Sequence, residues 1–194
     1  MTGRDGGADL HPIGNSPVVI LVRPQLADNV GACARAMANG GLFHMRLVAP
    51  RDGWPQEKAW RMASGADRIL EEATVHPTVA DAVADLHHVF ATCPRPRHIV
   101  KPVLTARGAA MELRQISTRG LRTGLMFGPE RAGLDNDDMA QANALVRFPL
   151  NPAFMSLNLA QAVMVMAYEW WTAEDGTPPK SFMTNESQVA TRDG

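Results

Sequence analysis

A chain of 194 residues, 45% of them apolar, is long enough to bury one substantial core as a single domain. Its formal net charge of −1 excludes indiscriminate nucleic-acid binding through bulk charge, while leaving room for a local basic patch. Two cysteines, Cys33 and Cys93, fit no metal or redox spacing and read as reduced thiols. No run of about 18 apolar residues occurs, and no basic segment leads into an apolar one at the start. Neither a membrane span nor a secretory signal is expected, which places the protein in the cytoplasm.

Residues 1–15 are rich in Gly, Asp and Asn and are expected to form a disordered tail. Pro17–Arg23 is a short β-branched run that reads as a buried parallel strand. Asp28 or Asn29 is placed to cap a helix running to about Asn39, with Gly40-Gly41 as its stop. His44–Ala49 is a second strand, closed by Pro50. Trp54 to Leu70 reads as helical pieces broken at Gly65. Pro77–Leu86 carries Val79, Ala82, Val83 and Leu86 on one helical face, and His88–Thr92 is a third strand. A Pro-stiffened basic loop follows, Cys93-Pro94-Arg95-Pro96-Arg97. The remaining elements are a helix at Thr105–Ile116, a strand at Gly124–Phe127, a helix at Asp135–Gln141, a strand at Ala144–Phe148 and a last helix from Ser156 to about Trp171. The folded domain is expected to span 16–173, with 174–194 a flexible tail or linker stub. Alternating strands and helices predict an α/β protein with a mainly parallel sheet, in which ligands bind beyond the carboxyl ends of strands. The loops Thr92–Arg97, Phe127–Leu134 and Phe148–Asn158 all follow predicted strands and are therefore expected to converge on one site.

Several familiar nucleotide sites are absent. No Gly-x-Gly-x-x-Gly follows the first strand, and there is no P-loop motif and no Gly-x-Ser-x-Gly elbow. His87 and His88 are adjacent and point to opposite faces of a strand, so no metal site is expected there. Asn29 and Arg35 bracket a helix N-terminus, where backbone N–H groups and the helix dipole favour anions such as RNA phosphate. Arg35 is otherwise a lone cation among small residues that suit a close-packed helix. In Phe127–Leu134, Gly128 and Gly133 allow positive φ or close backbone approach, and Pro129 stiffens the loop. Glu130 is placed to meet a ribose hydroxyl or a cation, or simply to pair with Arg131. Asn151 to Val163 combines an Asn- and Pro-rich turn with both Ser156 and Asn158 at a helix entrance that needs only one cap. On the last helix Leu159, Val163, Met166 and Trp170 recur at helical spacing, suiting either core packing or a subunit interface. Arg95, Arg97, His98 and Lys101, with Arg107, Arg114, Arg119 and Arg122, offer either a solvated face or a phosphate-contacting surface.

Taken in order, the segments Asn29–Met37, Phe127–Leu134 and Asn151–Val163 resemble the motifs of the SPOUT class of methyltransferases. The resemblance runs from about Pro17 to Trp171 and is to the TrmH-like branch of RNA ribose 2′-O-methyltransferases, most of all its TrmJ-type tRNA (cytidine/uridine-2′-O-)-methyltransferases. It implies a parallel sheet whose C-terminal part is tied in a deep trefoil knot, an exception to unthreaded topology. It also implies a homodimer, formed through the last helix, that holds S-adenosyl-L-methionine in the knot. The cofactor would touch Thr92, Cys93, Pro94, Gly128, Phe148, Met155, Ser156 and Leu157. The motif positions of the family map onto Asn29, Arg35, Glu130, Ser156 and Asn158 as catalytic candidates, with no metal. The implied reaction is methylation of a ribose 2′-hydroxyl in RNA, foremost in the anticodon loop of tRNA. The alternatives are an rRNA target, a catalytically silent knotted binder of the cofactor or RNA, and a protein using an unrelated nucleotide. The chain departs from the pattern with Phe154 where relatives often have Tyr, and with Thr-Cys-Pro-Arg-Pro-Arg after the third strand. It is also expected to lack the C-terminal extension that helps full-length TrmJ-like enzymes bind tRNA.

Overall fold

The structure, a computed structural model, describes residues 15–93 and 100–176. Its centre is β1 (Val18–Val22), five consecutive buried apolar residues whose side chains alternate between the two faces of a sheet. Val19 and Leu21 enter one core cluster, while Val18, Ile20 and Val22 enter the other. A strand apolar on both faces must be covered on both, and helices do so here.

The other strands are β2 (Met45–Val48), β3 (Thr74–His76), β4 (His88–Thr92), β5 (Val103–Thr105), β6 (Thr123–Phe127) and β7 (Ala144–Arg147). They form one sheet in the order β3-β2-β1-β6-β4-β7-β5, and every neighbouring pair is parallel. The helices are α1 (Ala27–Asn39), α2 (Glu57–Ala63), α3 (Asp67–Glu71), α4 (Val79–Val83), α5 (Ala106–Ser117), α6 (Asn136–Ala140) and α7 (Leu159–Thr172). Buried residues of α1, α2, α3, α5 and α7 share the cluster of Val19 and Leu21, and those of α4 and α6 lie on the opposite face. The two strands that the sequence did not signal, β3 and β5, are the two edges. Each is three residues long and mostly exposed, so neither carries the apolar alternation that marks a half-buried strand.

Two helix entrances differ from expectation. α1 starts at Ala27 with Leu26 at its N-cap and no capping side chain, so neither Asp28 nor Asn29 fills that role. α7 starts at Leu159, three residues later than Ser156, because Asn158 is its cap. The Ala160 N–H donates to Asn158 Oδ1 at 2.8 Å, and the Asn158 N–H donates to Gln161 Oε1 at 2.9 Å.

The apolar stripe of α7 belongs to the core of the single chain. Leu159, Val163, Met166 and Trp170 are all buried, and α7 packs on α1 and α5. The expected alternative, that these four form a subunit interface, is therefore corrected: only Tyr168 and Trp171 remain as exposed large apolar groups on that helix. Arg114 of α5 lies with its guanidinium 3.5 Å over the Trp170 ring and donates to the Trp170 carbonyl at 2.7 Å. Burial pulls the Arg114 pKa below the usual arginine value, and Glu174, at 2.7 Å, opposes that shift.

The basic surface expected around residues 95–122 is largely spent on internal partners. Lys101 donates to the Ala140 and Ala142 carbonyls, Arg107 pairs with Glu169, and Arg122 pairs with Asp85. With Arg114 buried as well, four of the five described members of that set have partners within the chain, and Arg119 is exposed. Arg95, Arg97 and His98 lie outside the described residues.

Candidate active site

Beyond the carboxyl ends of β4, β6 and β7, adjacent in the sheet, the chain leaves a cleft of about 470 Å³. All three loops singled out in the sequence reach it. Thr92 and Cys93 come from the end of β4, Phe127 to Leu134 from the end of β6, and Phe148, Leu150 and Met155 to Leu157 from the stretch after β7. The floor is closed by Met139, Leu159 and Ala162 from α6 and α7, which the sequence reading did not assign to a site. Their only signal was apolar spacing, and that is indistinguishable from ordinary core packing.

Of the expected cofactor contacts, Thr92, Cys93, Gly128, Phe148, Met155, Ser156 and Leu157 all line this cleft, whereas Pro94 lies outside the described residues. The Thr92 hydroxyl is itself engaged, donating to the Met126 carbonyl at 3.1 Å. The wall from Phe127 to Gly133 is built around Gly128. A Cβ there would stand 2.3 Å from the Leu134 nitrogen and 2.4 Å from the Gly133 carbonyl carbon, so the loop folds against its own backbone only because residue 128 has no side chain. Gly133 adopts φ +68°, the left-handed turn that returns the chain towards α6.

The five catalytic candidates separate into two groups. Glu130, Asn29 and Asn158 form a hydrogen-bonded chain. The Gln25 and Leu26 N–H groups donate to the Glu130 carboxylate at 3.0 and 3.3 Å, and Asn29 Nδ2 donates to it at 2.8 Å. Asn158 Nδ2 in turn donates to Asn29 Oδ1 at 3.2 Å. The entrance of α1, expected to attract an external anion, is thus already served by the protein's own Glu130 carboxylate. Glu130 is engaged with the α1 entrance rather than with Arg131, and Asn158 fastens the start of α7 to that of α1. The three residues tie the β6 loop, α1 and α7 into one unit beside the cleft. Burial, and then the nearby Glu130 charge, hold the Cys33 thiol of α1 in its neutral form.

Ser156 and Arg35 have no such structural duties. Ser156 is exposed on the cleft wall. Arg35 is exposed on the outer face of α1, and among the described residues its guanidinium has no hydrogen-bond or ion-pair partner. It does not line the cleft. It stands six residues beyond Asn29, or about 9 Å further along the helix at ~1.5 Å per residue.

A clamp that the sequence did not reveal holds the far end of the β6 loop. Arg23, at φ +46° directly after β1, donates to Asp135 at 3.1 Å and to both carboxylate oxygens of Asp138. Asp135 and Asp138 also form the capping box of α6. The Asp135-x-x-Asp138 spacing is a legible cap signal, but nothing local marks Arg23, 112 residues away, as its partner. The side chain of Asp138 is only 6% exposed, so Arg23→Ala leaves a nearly buried carboxylate without its cation. Because the Arg23 side chain is 40% exposed, the expected loss lies towards the lower end of the ~3–5 kcal/mol typical of broken buried pairs. Urea denaturation of Arg23→Ala should show that loss, and pairing it with Asp138→Asn should recover part of it.

A crevice at the carboxyl ends of parallel strands, walled by backbone-rich loops, marks an α/β protein whose cleft has room for a nucleotide-sized ligand. Residues 16–168 match the SpoU rRNA Methylase family, and the chain belongs to that family. The crystal structure of TrmJ from Z. mobilis ZM4 superposes with a TM-score of 0.77 at 54% identity, covering 86% of this chain and 73% of that one. The tRNA (cytidine/uridine/adenosine-2′-O-)-methyltransferase TrmJ of Pseudomonas aeruginosa is 39% identical over 166 residues, which is 84% of this chain and 64% of that protein. The tRNA (cytidine/uridine-2′-O-)-methyltransferase TrmJ of Cronobacter sakazakii is 33% identical over 165 residues, 83% of this chain and 66% of its own length. The chain therefore spans slightly less than two thirds of the length of these curated relatives. Among the described residues no helix is long and apolar enough to cross a membrane.

Proposed function

We propose that this protein is an S-adenosyl-L-methionine-dependent RNA methyltransferase that acts on a ribose 2′-hydroxyl of tRNA, in the anticodon loop, in the cytoplasm. The observation that carries the reading is the convergence of three separate loops on one cleft, with Ser156 exposed on its wall beside the Glu130–Asn29–Asn158 chain. The residues fit the cofactor. The cleft has the volume of a nucleoside site, and its walls at Gly128, Pro129 and Gly133 offer close approach to backbone groups. Thr92, Cys93, Gly128, Phe148, Met155, Ser156 and Leu157 would hold it. When bound, S-adenosyl-L-methionine supplies an electrophilic methyl group.

The residues of this chain must make a weakly acidic ribose hydroxyl nucleophilic. Arginine is not deprotonated in proteins, so Arg35 is a poor proton acceptor. In our reading Arg35 stabilises the developing alkoxide and clamps the adjacent phosphate, while Ser156 orients the hydroxyl. The position of Arg35 then requires the RNA to lie along the outer face of α1. Glu130, Asn29 and Asn158 act through position, keeping α1 and the start of α7 in register with the cleft wall.

Two further features belong to the same reading. The stretch 148–158, between β7 and the buried helix α7, is threaded as part of a trefoil knot. A homodimer forms through α7, using Tyr168 and Trp171, the large apolar groups left exposed on that helix. The family's description names rRNA and the curated relatives' names tRNA; the 39% and 33% identity to full proteins named as tRNA methyltransferases favours tRNA. The test is incubation with S-adenosyl-L-methionine and unmodified tRNA or rRNA, followed by nucleoside mass spectrometry. A 2′-O-methylated nucleoside in tRNA is the expected result. Product in rRNA alone would move the substrate, and product in neither, with the cofactor shown to bind, would overturn the reading.

A further inference from the structure

Among the described residues that line the cleft, two are charged, Glu130 and Arg131, side by side in the β6 loop. Their situations are opposite. Glu130 is spent, because the Gln25 and Leu26 N–H groups and the Asn29 amide all donate to its carboxylate. Arg131 is exposed, and among the described residues it has no hydrogen-bond or ion-pair partner. It is therefore the one charge of the described lining that is free for a ligand.

The loop fixes the backbone that carries it. The Gly133 N–H donates to the Pro129 carbonyl at 2.9 Å, closing a tight turn with Arg131 at its centre. Glu130 ties one side of that turn to α1, and Asp135 and Asp138 tie the segment after it to Arg23. A side chain on a backbone held at both sides has less freedom to lose when a ligand binds. The charges of the cofactor then decide what that side chain can meet. S-adenosyl-L-methionine has two positive centres, its sulfonium and its α-ammonium, and one negative group, its α-carboxylate. A free guanidinium in the same cleft repels the first two, and only the carboxylate turns its presence into attraction. The rest of the described lining is uncharged, with Leu134, Met139, Phe148 and Leu150 as apolar walls for the adenosine.

We propose, resting on the methyltransferase reading above, that Arg131 anchors the cofactor by its α-carboxylate. The planar guanidinium fork matches a carboxylate with two parallel N–H donors. The role is one of binding and takes no part in methyl transfer. RNA phosphate is the competing partner for an exposed arginine. Arg131, however, lines the cleft together with the expected cofactor contacts Gly128 and Ser156, whereas Arg35, outside the cleft, is the cation placed for RNA.

The test is calorimetric titration of the full chain, and of Arg131→Gln, with S-adenosyl-L-methionine and with decarboxylated S-adenosylmethionine. The second ligand keeps both positive centres and lacks only the carboxylate. The unaltered protein should bind the cofactor about tenfold or more tightly than the decarboxylated compound, as expected of a charge-assisted pair. Arg131→Gln should abolish that preference by weakening the cofactor alone, with an unchanged melting temperature, since Arg131 holds no other part of the described chain. An equal loss for both ligands would make Arg131 part of the scaffold and overturn the proposal. Unchanged cofactor affinity with weaker tRNA binding would assign Arg131 to RNA phosphate and overturn it too. Equal affinity of the unaltered protein for the two ligands overturns the anchor and leaves the methyltransferase reading standing, whereas binding of neither ligand removes both.

Discussion

Gly128→Ala should abolish tight cofactor binding and lower the melting temperature, although it adds only one methyl group. The added Cβ would stand 2.3 Å from the Leu134 nitrogen, 2.4 Å from the Gly133 carbonyl carbon and 2.9 Å from Gly133 Cα. All three are main-chain atoms, so no side chain can swing aside and the loop itself must move. Overpacking of this kind costs about 1–3 kcal/mol, and more where the backbone resists. The loop cannot yield freely, because Glu130 ties it to the α1 entrance and the Arg23 clamp ties its far end to β1. The displaced segment, Phe127 to Leu134, is a full wall of the cleft. Calorimetry should therefore show cofactor affinity reduced more than tenfold. Gly133→Ala is the informative comparison. Gly133 sits at φ +68° with open space where a Cβ would go, so its replacement costs about 1–2 kcal/mol of backbone strain without a clash. Equal losses of cofactor affinity in the two variants would show that the close approach at Gly128 is not what shapes the cleft.

The legible parts of this protein are those where local chemistry and the fold agree. β1 could be read because a run of β-branched residues buried on both faces has few alternatives. The convergence of the loops followed from their positions after strands that proved parallel and adjacent. The edge strands β3 and β5 were illegible because three exposed residues leave no period to detect. The entrance of α1 is illegible for another reason. Asn29 has the right chemistry for a cap, but a carboxylate 101 residues away captures its amide, and no local pattern encodes that partner. Arg114 shows the same limit: a cation that reads as surface is buried over Trp170 of a helix that only the tertiary fold brings near. Among the catalytic candidates, spacing identified a set of residues without sorting them into those that hold the site and those free to act. Hydrogen bonding provides that division, with Glu130, Asn29 and Asn158 engaged and Ser156 and Arg35 at liberty.

That division makes Arg35→Ala the sharpest test of the proposed chemistry. Arg35 is exposed and without a hydrogen-bond or ion-pair partner among the described residues, so its removal should leave the melting temperature almost unchanged. Alanine is moreover the stronger helix former at an exposed position of α1. Nor does Arg35 line the cleft, so cofactor affinity should stay within about twofold. Single-turnover methylation of tRNA should instead fall by about 10²–10³, the usual cost of losing one preorganised donor to a developing oxyanion. Arg35→Lys retains the charge without the planar fork and should recover only part of the rate. Asn29→Ala provides the contrast: it breaks the chain between Glu130 and Asn158, so stability and cofactor affinity should decline together with turnover. A guanidinium that acts only on the reacting ribose leaves the first two quantities untouched, whereas one that helps to build the cleft cannot. If Arg35→Ala reduced cofactor affinity and turnover by equal factors, its role would be structural, and the activation of the hydroxyl would have to come from Ser156 or from the RNA itself.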